Sequence, residues 1–187
     1  MKKNQTRALL VGATLLAGVS GMAMSDGKEG ILQSWFSQTT PGIDRVTTDL
    51  YQEECGSCHL AYQPGLLAAQ SWEQIMGSLN DHFGENAELL QDDANTIRNF
   101  LLNNAAGRVN YGLPNKFMAA QKGKPYPLRI TEMHYFRHEH EELGADQVQN
   151  NPEVKSLSQC NRCHQGARQG LYDEHDVIIP GFGRWDD

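Results

Sequence analysis

The sequence predicts a small, mainly α fold made of several short helices with long irregular loops. Three observations predict it. Apolar residues recur at helical spacing, as in Ala94, Ile97, Leu101 and Ala105. No set of alternating apolar and polar positions appears that would make strands. The stretches "RVNYGLPNKF" and "KGKPYPLR", with Pro114, Pro125 and Pro127, read as irregular connections.

The amino-terminal residues stand apart from that fold. "MKKNQTR" is basic, and Ala8 to Ser25 follows as 18 uncharged residues. Small residues at Gly21 and Ala23 suit a signal peptidase, so residues 1–23 are expected to be a secretory signal peptide. An uncleaved anchor is the competing reading, but its Gly, Ser and Thr content makes it a poor membrane span. No later segment is apolar and long enough to cross a bilayer, so no direct span is expected after cleavage. Residues 24–49 form an extension with no assigned role, and residues 50–187 form the expected domain. The formal charge of −7 becomes −10 without Lys2, Lys3 and Arg7. Such a surface argues against nucleic acid or anionic lipid and favours a protein partner with a basic or neutral face.

The elements follow in order. "DLYQEECGSCH" is expected to be a short helix. "SWEQIMGSLNDHFGENA" is expected to be another, opened by a capping box of Ser71 and Gln74 and stopped by Gly84. Trp72, Ile75, Met76, Leu79 and Phe83 would form its apolar face. Asp92 to Ala105 is a third, stopped near Gly107. "ITEMHYFRHEHEELG" is a fourth, with Thr131 as N-cap and Gly144 as stop. "NPEVKSLSQCNRCH" would begin a fifth, with Asn151 as cap and Pro152 at the first helical position. A polar turn around His175 leads into an extended run, Val177 to Ile179.

The chemistry lies in a repeated motif. Cys55, Cys58 and His59 recur as Cys160, Cys163 and His164, and the two copies use all four cysteines. Two disulfides would suit an exported chain but leave both histidines unexplained. A four-thiolate zinc site would need knuckles far closer in sequence than these. Covalent haem explains every residue. Two thioether bonds hold the haem edge, and the adjacent histidine becomes the proximal iron ligand. Two haem c groups are therefore the expected cofactors, bound by Cys55, Cys58, Cys160 and Cys163, with His59 and His164 on the irons. With aromatic residues at only 8%, the haems would also supply much of the apolar surface for the helices.

Five histidines remain for the distal positions. His82 lies at the edge of the apolar face of its helix, 23 residues after His59. His140 shares a stripe with Met133, Phe136 and Leu143, whereas His134 and His138 lie on another face among charges. His82 and His140 are the expected distal ligands, with His138 and His175 in reserve. His134 and His138 could also hold an adventitious metal ion, but they read as a solvated face. Methionine ligation through Met76, Met118 or Met133 would raise the potential relative to two histidines. Which distal histidine serves which iron stays open.

The blocks "ECGSCHLAYQPGLL", "SWEQIMGSLNDHFGENA", "PLRITEMHYFRHEHEEL", "VKSLSQCNRCHQGA" and "VIIPG" resemble the dihaem cytochrome c family, known as DHC. The resemblance covers roughly Tyr51 to Gly181. It implies a periplasmic, mostly helical c-type cytochrome fold around two bis-histidine haems, with His82 and His140 matching the distal histidines. It also implies redox partner proteins, either a high-spin monohaem cytochrome c or a membrane cytochrome b.

The expected function is relay of single electrons between redox proteins in the periplasm of a Gram-negative type of cell. A carrier has no substrate of its own and is not an enzyme. Two alternatives need one open iron: a haem enzyme of peroxidase-like or nitrogen-oxide-handling type, and a haem-based gas sensor.

Overall fold

The computed structural model describes residues 42–185. The expected signal peptide and residues 24–41 lie outside the described residues. Among the described residues six short α-helices carry the fold: α1 (Asp49–Cys55), α2 (Ala69–Met76), α3 (Gln91–Asn103), α4 (Gly112–Gln121), α5 (His134–Glu139) and α6 (Cys160–Cys163). Single 3-10 turns and loops join them. A two-stranded antiparallel hairpin, β1 (Ile178–Ile179) and β2 (Gly183–Arg184), closes the described chain. The mainly α expectation therefore holds. Among the described residues no helix is long and apolar enough to cross a membrane.

The core sits between α2 and α3 on one side and α4 and α5 on the other. Trp72 and Ile75 of α2 meet Ile97 and Leu101 of α3, and Phe117 of α4 and Phe136 of α5 join the same cluster. Burying each such side chain contributes about 1.5–3 kcal/mol. The indole of Trp72 satisfies its N–H by donating to the Pro64 carbonyl at 2.7 Å. Ile43 and Val46, ahead of α1, also belong to this core.

Several expected helix boundaries differ. Ser71 does not cap α2, which begins two residues earlier behind Ala68. Its buried hydroxyl instead donates to the Pro127 carbonyl at 2.8 Å, a tertiary contact that outweighs local capping. The helix stops at Met76, and Leu79–Asp81 forms a separate 3-10 turn. Phe83 consequently leaves the apolar face and stands 43% exposed.

Helix α4 occupies part of the stretch expected to be irregular. Pro114 is its third residue, where the missing N–H has no intrahelical partner to lose. The expected helix from Thr131 to Gly144 is broken into a 3-10 turn, Ile130–Glu132, and the short α5 behind Met133. The expected helix from Asn151 is absent. The Asn151 side chain instead accepts from the Glu153 N–H at 3.0 Å and donates to the Pro180 carbonyl at 2.8 Å. It thereby pins a turn to the carboxyl-terminal hairpin. The extended run at 177–179 appears in part as β1.

Candidate functional site

Each Cys–x–x–Cys–His motif sits at a helix end. Cys55 is the last residue of α1, and Gly56 to His59 peel away in a turn. Cys160 and Cys163 bracket the single turn of α6, with His164 at its C-cap. One turn of chain thus carries both thiols and the imidazole in each copy. No disulfide joins any of the four cysteines. Burial pushes the Cys55 and Cys160 thiols up to about 11. Among the described residues no three His, Cys, Asp or Glu side chains converge on a metal site, as a zinc knuckle would need.

The histidines meet in two pairs. The ring of His82 stacks toward that of His59 with centroids 6.3 Å apart and planes at 23°. The ring of His140 faces that of His164 at 6.2 Å with planes at 69°. Two bonds from ring nitrogens to one metal atom, each about 2.0–2.1 Å, with half a ring at either end, span about 6 Å. Both separations match that span.

Neighbouring groups set the tautomers. His59 Nδ1 lies 2.7 Å from the Leu60 carbonyl oxygen, and His140 Nδ1 lies 2.8 Å from that of Phe136. A carbonyl only accepts, so each Nδ1 carries the proton and each Nε2 keeps a bare lone pair. Burial lowers the His140 imidazole below its ordinary range. It lowers His164 to about 4, helped by the neighbouring His140. His82 is lowered as well, by burial and then by His59 and Arg129. The neutral imidazole, the form that ligates iron, is favoured at all three.

The second cluster borders a cavity of about 540 Å³, lined among others by Cys160, Cys163, His164, His140, Phe136 and Tyr172. That volume suits a large organic group. The Nδ1 of His164 is buried without a hydrogen-bond partner, an orphaned polar atom in the same wall. Two thiols, two imidazoles and an aromatic lining around one cavity fit a covalently tethered haem.

The reserve ligands lie outside the two pairs. His138 and His175 border the same cavity but are exposed, and His138 Nδ1 lies 3.3 Å from the Glu141 carboxylate. His134 is exposed too. Met133 is fully buried in the core, Met76 packs against that core, and the Met118 thioether faces Gly107.

The structure adds residues that the sequence alone did not single out. Tyr62 stacks on His59 at 4.8 Å, and its hydroxyl donates to the Ser158 carbonyl at 2.8 Å, two residues before Cys160. Phe136 stacks on His140 at 4.0 Å and 11°. Tyr172 presents itself edge-on to His164 at 5.2 Å. Gln63, wholly buried, receives the Tyr172 hydroxyl and donates to the Ala167 carbonyl. The two motifs are thus joined directly. The one signal in the sequence was an aromatic residue within eight positions of each of these histidines.

Comparison with known proteins gives a consistent picture. Residues 51–172 match the family model for dihaem cytochrome c. The chain is similar to the diheme cytochrome type c from Shewanella baltica OS155, sb-DHC, known from an X-ray structure. The TM-score is 0.61 at 41% identity, over 74% of this chain and 97% of that one. It is also similar to a diheme cytochrome c from Rhodobacter sphaeroides, with a TM-score of 0.59 at 35% identity, over 68% of this chain and 98% of that one. No curated protein matches the chain.

Proposed function

The chain belongs to the dihaem cytochrome c family, a haem electron-transfer protein with two haem c groups, and from that premise we propose that both irons are held by two histidines. His59 and His82 hold the first. His164 and His140 hold the second. Cys55 with Cys58, and Cys160 with Cys163, supply the thioether bonds. The single observation that carries this reading is the pair of ring separations, 6.3 and 6.2 Å, between just those histidines.

When bound, each haem supplies a one-electron iron couple; the protein's part is to hold it and tune it. The Leu60 and Phe136 carbonyls orient their imidazoles and keep Nε2 free of protons. Tyr62, Gln63 and Tyr172 keep the two sites in contact, so that an electron need travel only a short distance between them. Two histidines on each iron would leave no open position for a substrate, so the chain would be a carrier and not an enzyme. Residues 1–23 export it to the periplasm and are cleaved, and residues 50–187, with Ile43 and Val46 packed on their core, make the functional domain. Its acidic surface then docks redox partner proteins such as a high-spin monohaem cytochrome c or a membrane cytochrome b.

His82→Ala in the mature holoprotein tests the ligand set. The first haem is expected to turn high-spin while the second stays low-spin, and His140→Ala is expected to do the converse. Reduced wild-type protein is expected to leave its Soret band unmoved under carbon monoxide. A fast, complete shift would show an open iron and defeat the carrier reading.

A further inference from the structure

The two imidazole pairs are alike in spacing and unlike in orientation. The first pair has ring planes 23° apart and the second 69° apart. Each orientation is held from outside the pair. In the first, Tyr62 stacks on His59 with planes 21° apart. In the second, Phe136 lies almost flat on His140 at 11°, its own backbone carbonyl holding the Nδ1 of that ring. Tyr172 stands edge-on to His164 at 64°, and its hydroxyl is anchored on Gln63. The crossing of the second pair is therefore a built feature.

Ring orientation has electronic consequences when such a pair ligates one low-spin ferric iron. The unpaired electron occupies one of two d orbitals directed at the π systems of the axial rings. Near-parallel rings donate into the same orbital, lift it from its partner and stabilise the ferric state. Crossed rings raise both orbitals alike, so the splitting and the ferric stabilisation are smaller.

Resting on the bis-histidine reading, we propose that the crossed His140/His164 pair makes the second site electronically distinct from the first and the easier to reduce. Phe136 and Tyr172 are the positioning residues that set the crossing. Electrons entering at either end would collect at the second site.

Low-temperature EPR of the oxidised holoprotein, followed through a stepwise reductive titration, tests this. Two low-spin ferric signals are expected, one rhombic and one strongly anisotropic. The strongly anisotropic signal should disappear first, and His82→Ala should abolish only the rhombic one. Phe136→Leu and Tyr172→Leu are expected to move the strongly anisotropic signal toward rhombic and leave the other in place. Tyr172→Phe, which keeps the edge contact, should preserve it. Two signals of the same class, loss of the rhombic signal first, or loss of the strongly anisotropic signal in His82→Ala would overturn the inference while leaving bis-histidine ligation intact. Leucine variants that change only the melting temperature would overturn the role given to Phe136 and Tyr172. A high-spin ferric signal in the unmodified protein would instead defeat the ligation itself.

Discussion

The hydroxyl of Tyr172 donates a hydrogen bond of 2.8 Å to the side-chain oxygen of Gln63, a residue 109 positions earlier in the chain. The same carboxamide donates from its nitrogen to the Ala167 carbonyl at 2.6 Å. Gln63 follows Tyr62, which stacks on one histidine, and Tyr172 touches another. One buried side chain thus joins the two motif-bearing turns. Replacing it by Leu fills the space but leaves a hydroxyl and a carbonyl unpaired. Each unpaired buried group costs about 1–3 kcal/mol, so Gln63→Leu is expected to lose about 2–6 kcal/mol in denaturant unfolding of the holoprotein. Tyr172→Phe leaves one group unpaired and should lose less. A neutral Gln63→Leu would mean that the bridge carries no stability.

Gly170 closes the turn that follows the second motif, with φ at +78°. A Cβ there would collide with the carbonyl oxygen of Ile43. Backbone, not a flexible side chain, is the obstacle, so the clash cannot be relieved by a rotamer change. Gly170→Ala is expected to cost at least about 2 kcal/mol, from the left-handed backbone and the displaced segment together. A melting temperature equal to that of the unmodified protein would show that the segment before α1 moves aside freely.

The elements legible in the sequence were those governed by local pattern. Helix α3 follows from Ile97 and Leu101 at helical spacing, and the motif turns follow from their own residues. What could not be read depends on distant partners. Ser71 looks like a cap until Pro127 takes its hydroxyl, and Asn151 looks like a cap until Pro180 takes its amide. Helix α4 hid behind Gly112 and Pro114, because both lie in its first turn, where helical rules relax. At the site, His82 was assigned to a helix, whereas a tight turn presents it. Gln63 could not be singled out at all, since its partners lie over a hundred residues away.

The turn that presents His82 carries an unusual residue. Phe83 has φ at +58°, a conformation that a non-glycine residue adopts at a cost of about 1–2 kcal/mol. The His82 N–H donates to the Glu85 carbonyl at 2.7 Å and closes the turn, and Arg129 covers the Phe83 ring at 4.1 Å. Such a cation–aromatic contact contributes about 0.5–1 kcal/mol at an exposed site. Phe83→Gly relieves the strain and loses the contact, so its stability is expected to stay within about 1 kcal/mol of the original. Phe83→Val keeps the strain, adds β-branching and loses the contact, and should fall by more than about 1 kcal/mol. Equal melting temperatures for the two variants would remove backbone strain from the account.

Alkaline pH tests the packing of the tyrosines around the motifs. Burial pushes the Tyr62 phenol up to about 12. Tyr172 and Tyr51 are also raised, chiefly by burial. An unfolded phenol titrates near pH 10. Between about 10 and 12 the unfolded chain therefore sheds protons that the folded chain keeps, and folding weakens as pH rises. The stabilisation is fully present below about pH 10 and is lost as pH climbs through the folded value. Melting temperature is expected to hold level to about pH 10 and then fall. Tyr62→Phe begins lower, having lost the hydrogen bond to Ser158, but its decline should be shallower by about one proton's worth. An alkaline limb as steep as that of the unmodified protein would show that Tyr62 ionises in place without cost, and so is not packed between the two motifs as the structure has it.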